Sequence, residues 1–112
     1  MNSKPVFELP EVERDLEAAI AHYESWRFDG REHFLQKYEE TVGWIEWNPD
    51  GFPEKHGRVQ RAILKKSYYL VYFIQEKTRS IILAVLDGRR NPAGIRRIVS
   101  GRRLRRRYIS QR

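Results

Sequence analysis

The chain contains no cysteine, so neither disulfide bonds nor thiolate metal sites stabilise it, and we expect a reducing cytoplasm as its location. No long hydrophobic run is present either: the aliphatic run at residues 81–86 is too short to span a bilayer. Residues 1–10 lack the basic and apolar regions of a signal peptide. A length of 112 residues fits one small domain.

Acidic residues are scarce in the second half of the chain. Residues 57–112 carry 16 Lys and Arg against 2 Asp and Glu, whereas residues 1–56 carry 6 against 13. From Arg89 onward there are ten arginines and no acid. This separation of charge predicts that one surface contacts a polyanion or an acidic protein.

Two amphipathic helices are predicted in the first half. The apolar stripe of the first, over residues 11–26, consists of Val12, Leu16, Ala19, Ile20 and Tyr23. The stripe of the second, which ends near residue 47, consists of Phe34, Leu35, Tyr38, Val42 and Ile45. Asp29, with Glu32 three residues later, predicts a capping box at the start of the second helix. Together the two helices form a helical hairpin.

Strands are predicted at residues 4–8, 59–65, 68–75 and 80–86. The last two are apolar on both faces, which is typical of central strands covered on both sides. The helical hairpin covers one face only. The other face must be covered by the C-terminal segment, by a partner, or by both.

The predicted fold class is α+β: an N-terminal helical hairpin packed on a small antiparallel β-sheet, followed by a short C-terminal helix and a basic tail. The helix is expected from residue 93 to about 99. An arginine-dense segment is more often solvated than folded, so we expect residues 100–112 to be a loose tail. The predicted domain therefore covers residues 1–99.

Three segments together resemble the RelE/ParE superfamily, the toxins of type II toxin–antitoxin systems, over residues 5–97. They are LPEVERDLEAAIAHY (9–23), LKKSYYLVYF (64–73) and LAVLDGRRNP (83–92). The resemblance is closer to the ParE branch. Two positions depart from the usual pattern: Ser67-Tyr68 stands where Phe-Pro is usual, and Asp87 where a His is common.

The resemblance to ParE implies a toxin, often associated with plasmid stabilisation, that inhibits growth by binding DNA gyrase and trapping its complex with cleaved DNA. It also implies a cognate antitoxin that neutralises the toxin. For the target we expect a basic surface: Arg89, Arg90, Arg96 and Arg97. For the antitoxin we expect an aromatic one: Trp26, Trp44, Trp47 and Tyr69. The tryptophans also suit a stacking platform for bases, or packing against each other.

The alternative is a RelE-like endoribonuclease that cuts mRNA on the ribosome by attack of a ribose 2′-hydroxyl on the adjacent phosphate. The chemistry requires proton transfer and positive charge, and the catalytic candidates are Arg61, Lys65, Arg89 and Arg90. Ile95 stands near the position where RelE-type toxins carry a C-terminal aromatic, which favours the ParE interpretation. Of the three histidines only His56 is placed for chemistry, since His22 and His33 fall on predicted helices.

No cofactor is expected, because neither a metal-ligand spacing nor a phosphate-binding glycine loop is present. A third hypothesis is a toxin-derived module that only binds nucleic acid, nonspecifically, through its arginine-rich tail. No membrane contact is expected.

Overall fold

The computed structural model describes residues 2–104 and 110–111. Within them the helices are α1 (Glu11–Glu24), α2 (Gly30–Trp47) and α3 (Pro92–Leu104), with a 3₁₀ turn at Pro49–Gly51. The strands are β1 (Val6–Glu8), β2 (Glu54–His56), β3 (Val59–Ile63), β4 (Tyr69–Gln75), β5 (Ser80–Asp87) and β6 (Ser110–Gln111). The predicted α+β class is confirmed.

All strands lie in one sheet, in the order β2-β3-β4-β5-β1-β6. β3, β4 and β5 are antiparallel neighbours, as predicted. β2, which lies where the sequence predicts no strand, pairs antiparallel with β3. β1 joins the sheet but runs parallel to β5, with Val6 opposite Ser80, so the sheet is mixed. A parallel pair requires a long crossover, and the segment from α1 to β4 provides it.

The helical hairpin covers one face of the sheet with the predicted stripes. Val12, Ala19, Ile20 and Tyr23 of α1 are buried, as are Phe34, Tyr38, Val42 and Ile45 of α2. The predicted capping box is wrong. Asp29 precedes α2 but makes no capping hydrogen bond, because Arg27 donates to both of its carboxylate oxygens instead.

The opposite face is covered by the chain's own C-terminal helix. Ile95 and Val99 of α3 are buried, and β5 is buried from Ser80 to Leu86. Of the alternatives left open by the sequence, the C-terminal segment therefore supplies the cover within the described residues.

α3 ends at Leu104, so the prediction of a helix ending near residue 99 and a loose segment from residue 100 is wrong for residues 100–104. The reason is Arg102, whose guanidinium donates to both carboxylate oxygens of Asp15 in α1. Asp15, which lies 87 positions earlier in the chain, thus orders residues 100–104, which the sequence predicts to be solvated. The remaining tail residues, 105–109 and 112, lie outside the described part. The division into 1–99 and 100–112 stays a prediction.

The Asp15–Arg102 ion pair also provides hydrogen-bonding partners at the edge of β5. Leu83 is an extra residue in β5 relative to β4, since Tyr72 pairs with Ala84 and Phe73 with Ile82. β1 pairs with β5 only as far as Ile82. Beyond that point the Val85 N–H donates to Asp15 at 2.9 Å, and the Leu83 carbonyl accepts from Arg102 at 3.1 Å. The pair therefore satisfies backbone groups that no described strand reaches.

We expect the Arg102→Met variant to lose about 3–5 kcal/mol of unfolding free energy, because it leaves a buried carboxylate without its counter-charge. The side chains of Asp15 and Arg102 are only 8% and 13% exposed. Urea denaturation measures the loss. The matched control is Arg31→Met, which breaks the half-exposed Arg31–Glu17 pair and should cost less than about 1 kcal/mol. Equal losses in the two variants would contradict the account.

Two glycines of α2 should respond oppositely to alanine. A β-carbon at Gly30 would lie 2.5 Å from the backbone nitrogen of Glu24, whereas one at Gly43 would meet nothing within 4 Å. Gly30→Ala should therefore destabilise by about 1–3 kcal/mol through overpacking. Gly43→Ala should stabilise by about 0.5–1 kcal/mol through helix propensity. Thermal denaturation of both variants checks this, and a tolerated Gly30→Ala would show that the hairpin is looser than described.

Candidate functional site

Basic side chains from β3 and α3 gather on the sheet face opposite the helical hairpin. Tyr69 packs against Phe34 of α2 at a ring distance of 5.4 Å, so Tyr72, three residues further along β4, points to the other face. Arg61 lies directly opposite Tyr72 in the β3–β4 pair. The His56 ring stacks on that of Tyr72, with centroids 5.9 Å apart and planes inclined by 20°.

The His56 imidazole is surrounded by positive charge. Burial lowers the pKa of His56, and the cations Arg96, Arg61 and Lys55 lower it further. The imidazole is therefore mostly neutral at pH 7. We refer to Arg61, Arg96, His56 and Tyr72 as the basic cluster. The sequence indicates His56 as a candidate for chemistry. Its stacking on Tyr72 could not be predicted, because the contact depends on how β2 folds back on β3.

The four catalytic candidates of the RelE-like alternative fall into separate neighbourhoods. Arg61 belongs to the basic cluster, and Lys65 is exposed beyond the end of β3. Arg90 lines a cleft of about 280 Å³ together with Asp15 and other residues of α1.

Arg89 is held by Asp87. It donates to both carboxylate oxygens, at 3.1 and 2.8 Å, and its guanidinium carbon lies 4.4 Å from the centre of the Tyr68 ring. Hydrogen bonding to Arg89 lowers the pKa of Asp87. Asp87, which stands where a His is common in the family, thus holds the Arg89 side chain in place.

A cleft of about 310 Å³ opens between the helical hairpin and the β3–β4 turn. Imidazoles, aromatic rings and cations line it: His22, His33, Trp26, Tyr68, Lys66 and Arg89. Burial, reinforced by Arg27 and Lys37, lowers the pKa of His33. Lys66 has a φ of 55°, a left-handed conformation uncommon outside glycine. We call this the hairpin cleft. The hairpin cleft could not be predicted from the sequence, because the residues that line it come from four separate segments.

The aromatic residues predicted to bind an antitoxin lie on different surfaces. Trp44 and Trp47 pack edge to face with centroids 5.8 Å apart, remain 55% and 49% exposed, and line a groove of about 360 Å³. We call this groove the Trp44/Trp47 surface. Trp26 lies near the other end of α2, against Tyr23 at 5.2 Å. Tyr69 is only 8% exposed, so no more than its edge is accessible to a partner.

The arginines predicted to contact the target are on or beside α3. Arg90, Arg96 and Arg97 are exposed, and among the described residues none of them forms an ion pair. Arg89 differs from these three, because it forms an ion pair with Asp87. No group of three or more potential metal ligands occurs within residues 2–104 and 110–111. In the same residues, no helix has the length and apolar character needed to cross a membrane.

Comparison with known proteins yields a family and a fold. The family described as ParE toxin of type II toxin-antitoxin system, parDE, matches residues 9–92. A solved structure described as the chromosomal ParDE TA system from P. aeruginosa aligns with a TM-score of 0.62 at 19% identity, covering 76% of this chain and 96% of that chain. At that identity the likeness concerns the fold. No curated protein matches the chain.

The family match spans most of the chain, from the end of β1 through α1, α2 and the strands to the start of α3. The aligned fold is that of a ParDE system. The chain therefore belongs to the ParE toxin family of type II toxin–antitoxin systems, in the ParE branch of the RelE/ParE superfamily.

Proposed function

We propose that this toxin arrests growth in the bacterial cytoplasm by binding DNA gyrase, without catalysis of its own, and that a cognate antitoxin neutralises it. The observation that supports a binding role is the position of Ile95. It stands near the place where RelE-type toxins carry a C-terminal aromatic, and it is 4% exposed, packed in the core. Of the four RelE-type catalytic candidates, Arg61 also lies in a different neighbourhood from Arg90 and from Arg89, which Asp87 holds.

The target surface in this proposal is the outer side of α3. Arg96 and Arg97 project from it into solvent, and Arg90 precedes it in the connection from β5. The planar guanidinium groups suit both the carboxylates of an acidic protein surface and the phosphates of gyrase-bound DNA. Arg89 contributes less to target binding, because its guanidinium group already donates hydrogen bonds to Asp87.

The antitoxin surface in this proposal is the Trp44/Trp47 surface. Large, rigid aromatic side chains half exposed on a monomer are typical anchors of a protein interface. Glu40 borders the same groove, so a segment with an apolar anchor followed by a basic residue fits it best. Trp26 and the edge of Tyr69 belong to the hairpin cleft, where a second part of the same antitoxin has room.

A supercoiling assay with purified gyrase tests the target. We expect the protein to inhibit supercoiling and to accumulate cleaved DNA, and we expect a variant with Arg96→Ala and Arg97→Ala to lose most of this effect. Arg31→Ala, which removes a distant exposed arginine, is the control. Unaffected gyrase, together with cleavage of mRNA on programmed ribosomes, would establish the RelE-like alternative. Unaffected gyrase and intact mRNA, with binding to nucleic acid alone, would leave the third hypothesis.

A binding titration with the cognate antitoxin tests the aromatic surface. Trp44→Ala should weaken the complex by about 2 kcal/mol or more while leaving the unfolding free energy within about 0.5 kcal/mol of the parent. Ile63→Ala is the matched control, because Ile63 is an exposed apolar residue elsewhere, at the end of β3. Equal, small losses for both variants would place the antitoxin on another surface.

A further inference from the structure

The basic cluster contains an arginine that the fold leaves incompletely bonded. The Nε atom of Arg61 is buried and has no hydrogen-bond partner among the described residues. Neither Arg61 nor Arg96 forms an ion pair within residues 2–104. Buried polar atoms in folded proteins are nearly always hydrogen-bonded, so an orphaned guanidinium N–H calls for a partner that the described residues do not supply.

No acid within residues 2–104 forms an ion pair with Arg61. Its cross-strand partner is Tyr72, whose ring carries the stacked His56. The charges that act on His56 come from Arg96, Arg61 and Lys55, and all three are positive. Like charges brought together repel each other, so an anion that joins the cluster is held favourably.

We propose that Arg61, Arg96 and His56 form a binding site for a phosphate group of a nucleic acid backbone. The guanidinium fork of Arg61 supplies donors in the geometry that phosphate oxygens accept, and Arg96 adds a second cation from α3. His56, fixed against Tyr72, contributes a ring N–H. Phosphate satisfies all three at once because its oxygens point in several directions.

A backbone phosphate fits better than a free phosphate ion, because positive charge continues along α3. Arg103 lies seven residues after Arg96, hence on the same side of the helix and about 10 Å away. A β-carbon at Gly57 would lie 3.6 Å from Nη1 of Arg103, so this side chain reaches the β2–β3 turn beside His56. The line of positive charge from Arg96 to Arg103 is therefore longer than a single phosphate ion. Arg61, Arg96 and His56 lie outside the arginine-rich tail, and the site does not depend on gyrase being the target.

Fluorescence anisotropy with labelled single-stranded DNA, and with the duplex of the same sequence, tests the site in the full-length protein. Arg61→Gln and Arg96→Gln should each weaken binding about tenfold at fixed salt and reduce the slope of log affinity against log salt by about 1. Arg31→Gln is the matched control, since it removes the same charge from an exposed residue of α2, away from the cluster. It should weaken binding less than about threefold.

The two DNA forms distinguish the source of the phosphate. Dependence on Arg61 for either form supports the site, and the tighter form identifies the ligand. Equal losses for all three variants would mean diffuse attraction by an arginine-rich chain and would overturn the proposal, as would unchanged affinity in Arg61→Gln. Because Arg61 is partly buried, the exposed Arg96→Gln variant and the NMR signals of the His56 ring give independent readouts. Those ring signals should shift on DNA addition, and unmoved signals would also overturn the proposal.

Discussion

The buried ion pair between Asp15 and Arg102 is the constraint on which the arrangement of the molecule depends. It joins α1 to α3 across β5, and it does so where the extra residue Leu83 leaves the strand edge without a neighbour. One carboxylate and one guanidinium thus replace a missing strand as hydrogen-bonding partners. Without them the edge of β5 would expose backbone groups, and α3 would be held by its apolar residues Ile95, Ile98 and Val99.

The placement of α3 in turn determines which surfaces the protein offers. One side of the helix closes the apolar face of the sheet. Arg96 and Arg97 of the same helix are exposed, and Arg96 brings its positive charge to His56. The acidic half of the chain builds the helical hairpin with the Trp44/Trp47 surface. Segregation of charge along the sequence therefore becomes segregation between faces, and the surfaces proposed for the antitoxin and for the target lie on different sides of the domain.

Local periodicity made most of the fold predictable. The stripes of α1 and α2 and the two-sided apolar strands β4 and β5 lie where the spacing of apolar residues indicates. Contacts between distant positions were not predictable. Nothing in the pattern around Arg102 distinguishes it from the neighbouring arginines, yet it binds Asp15 and extends α3. The same limit applies to the sites. The exposed tryptophans were identified, but their separation into two surfaces and the stacking of His56 on Tyr72 follow from the tertiary fold.

Native-state hydrogen exchange at the amide of Val85 tests the central claim most directly. This N–H points away from the β4 side of the sheet and donates to the Asp15 carboxylate. If the Asp15–Arg102 pair holds the edge of β5 and α3 together, the Val85 amide and the buried turns of α3 should exchange only through global unfolding, with the same free energy as the centre of β4. Fast exchange at Val85 and throughout α3, with β4 still protected, would show that the C-terminal helix opens independently and would contradict the account.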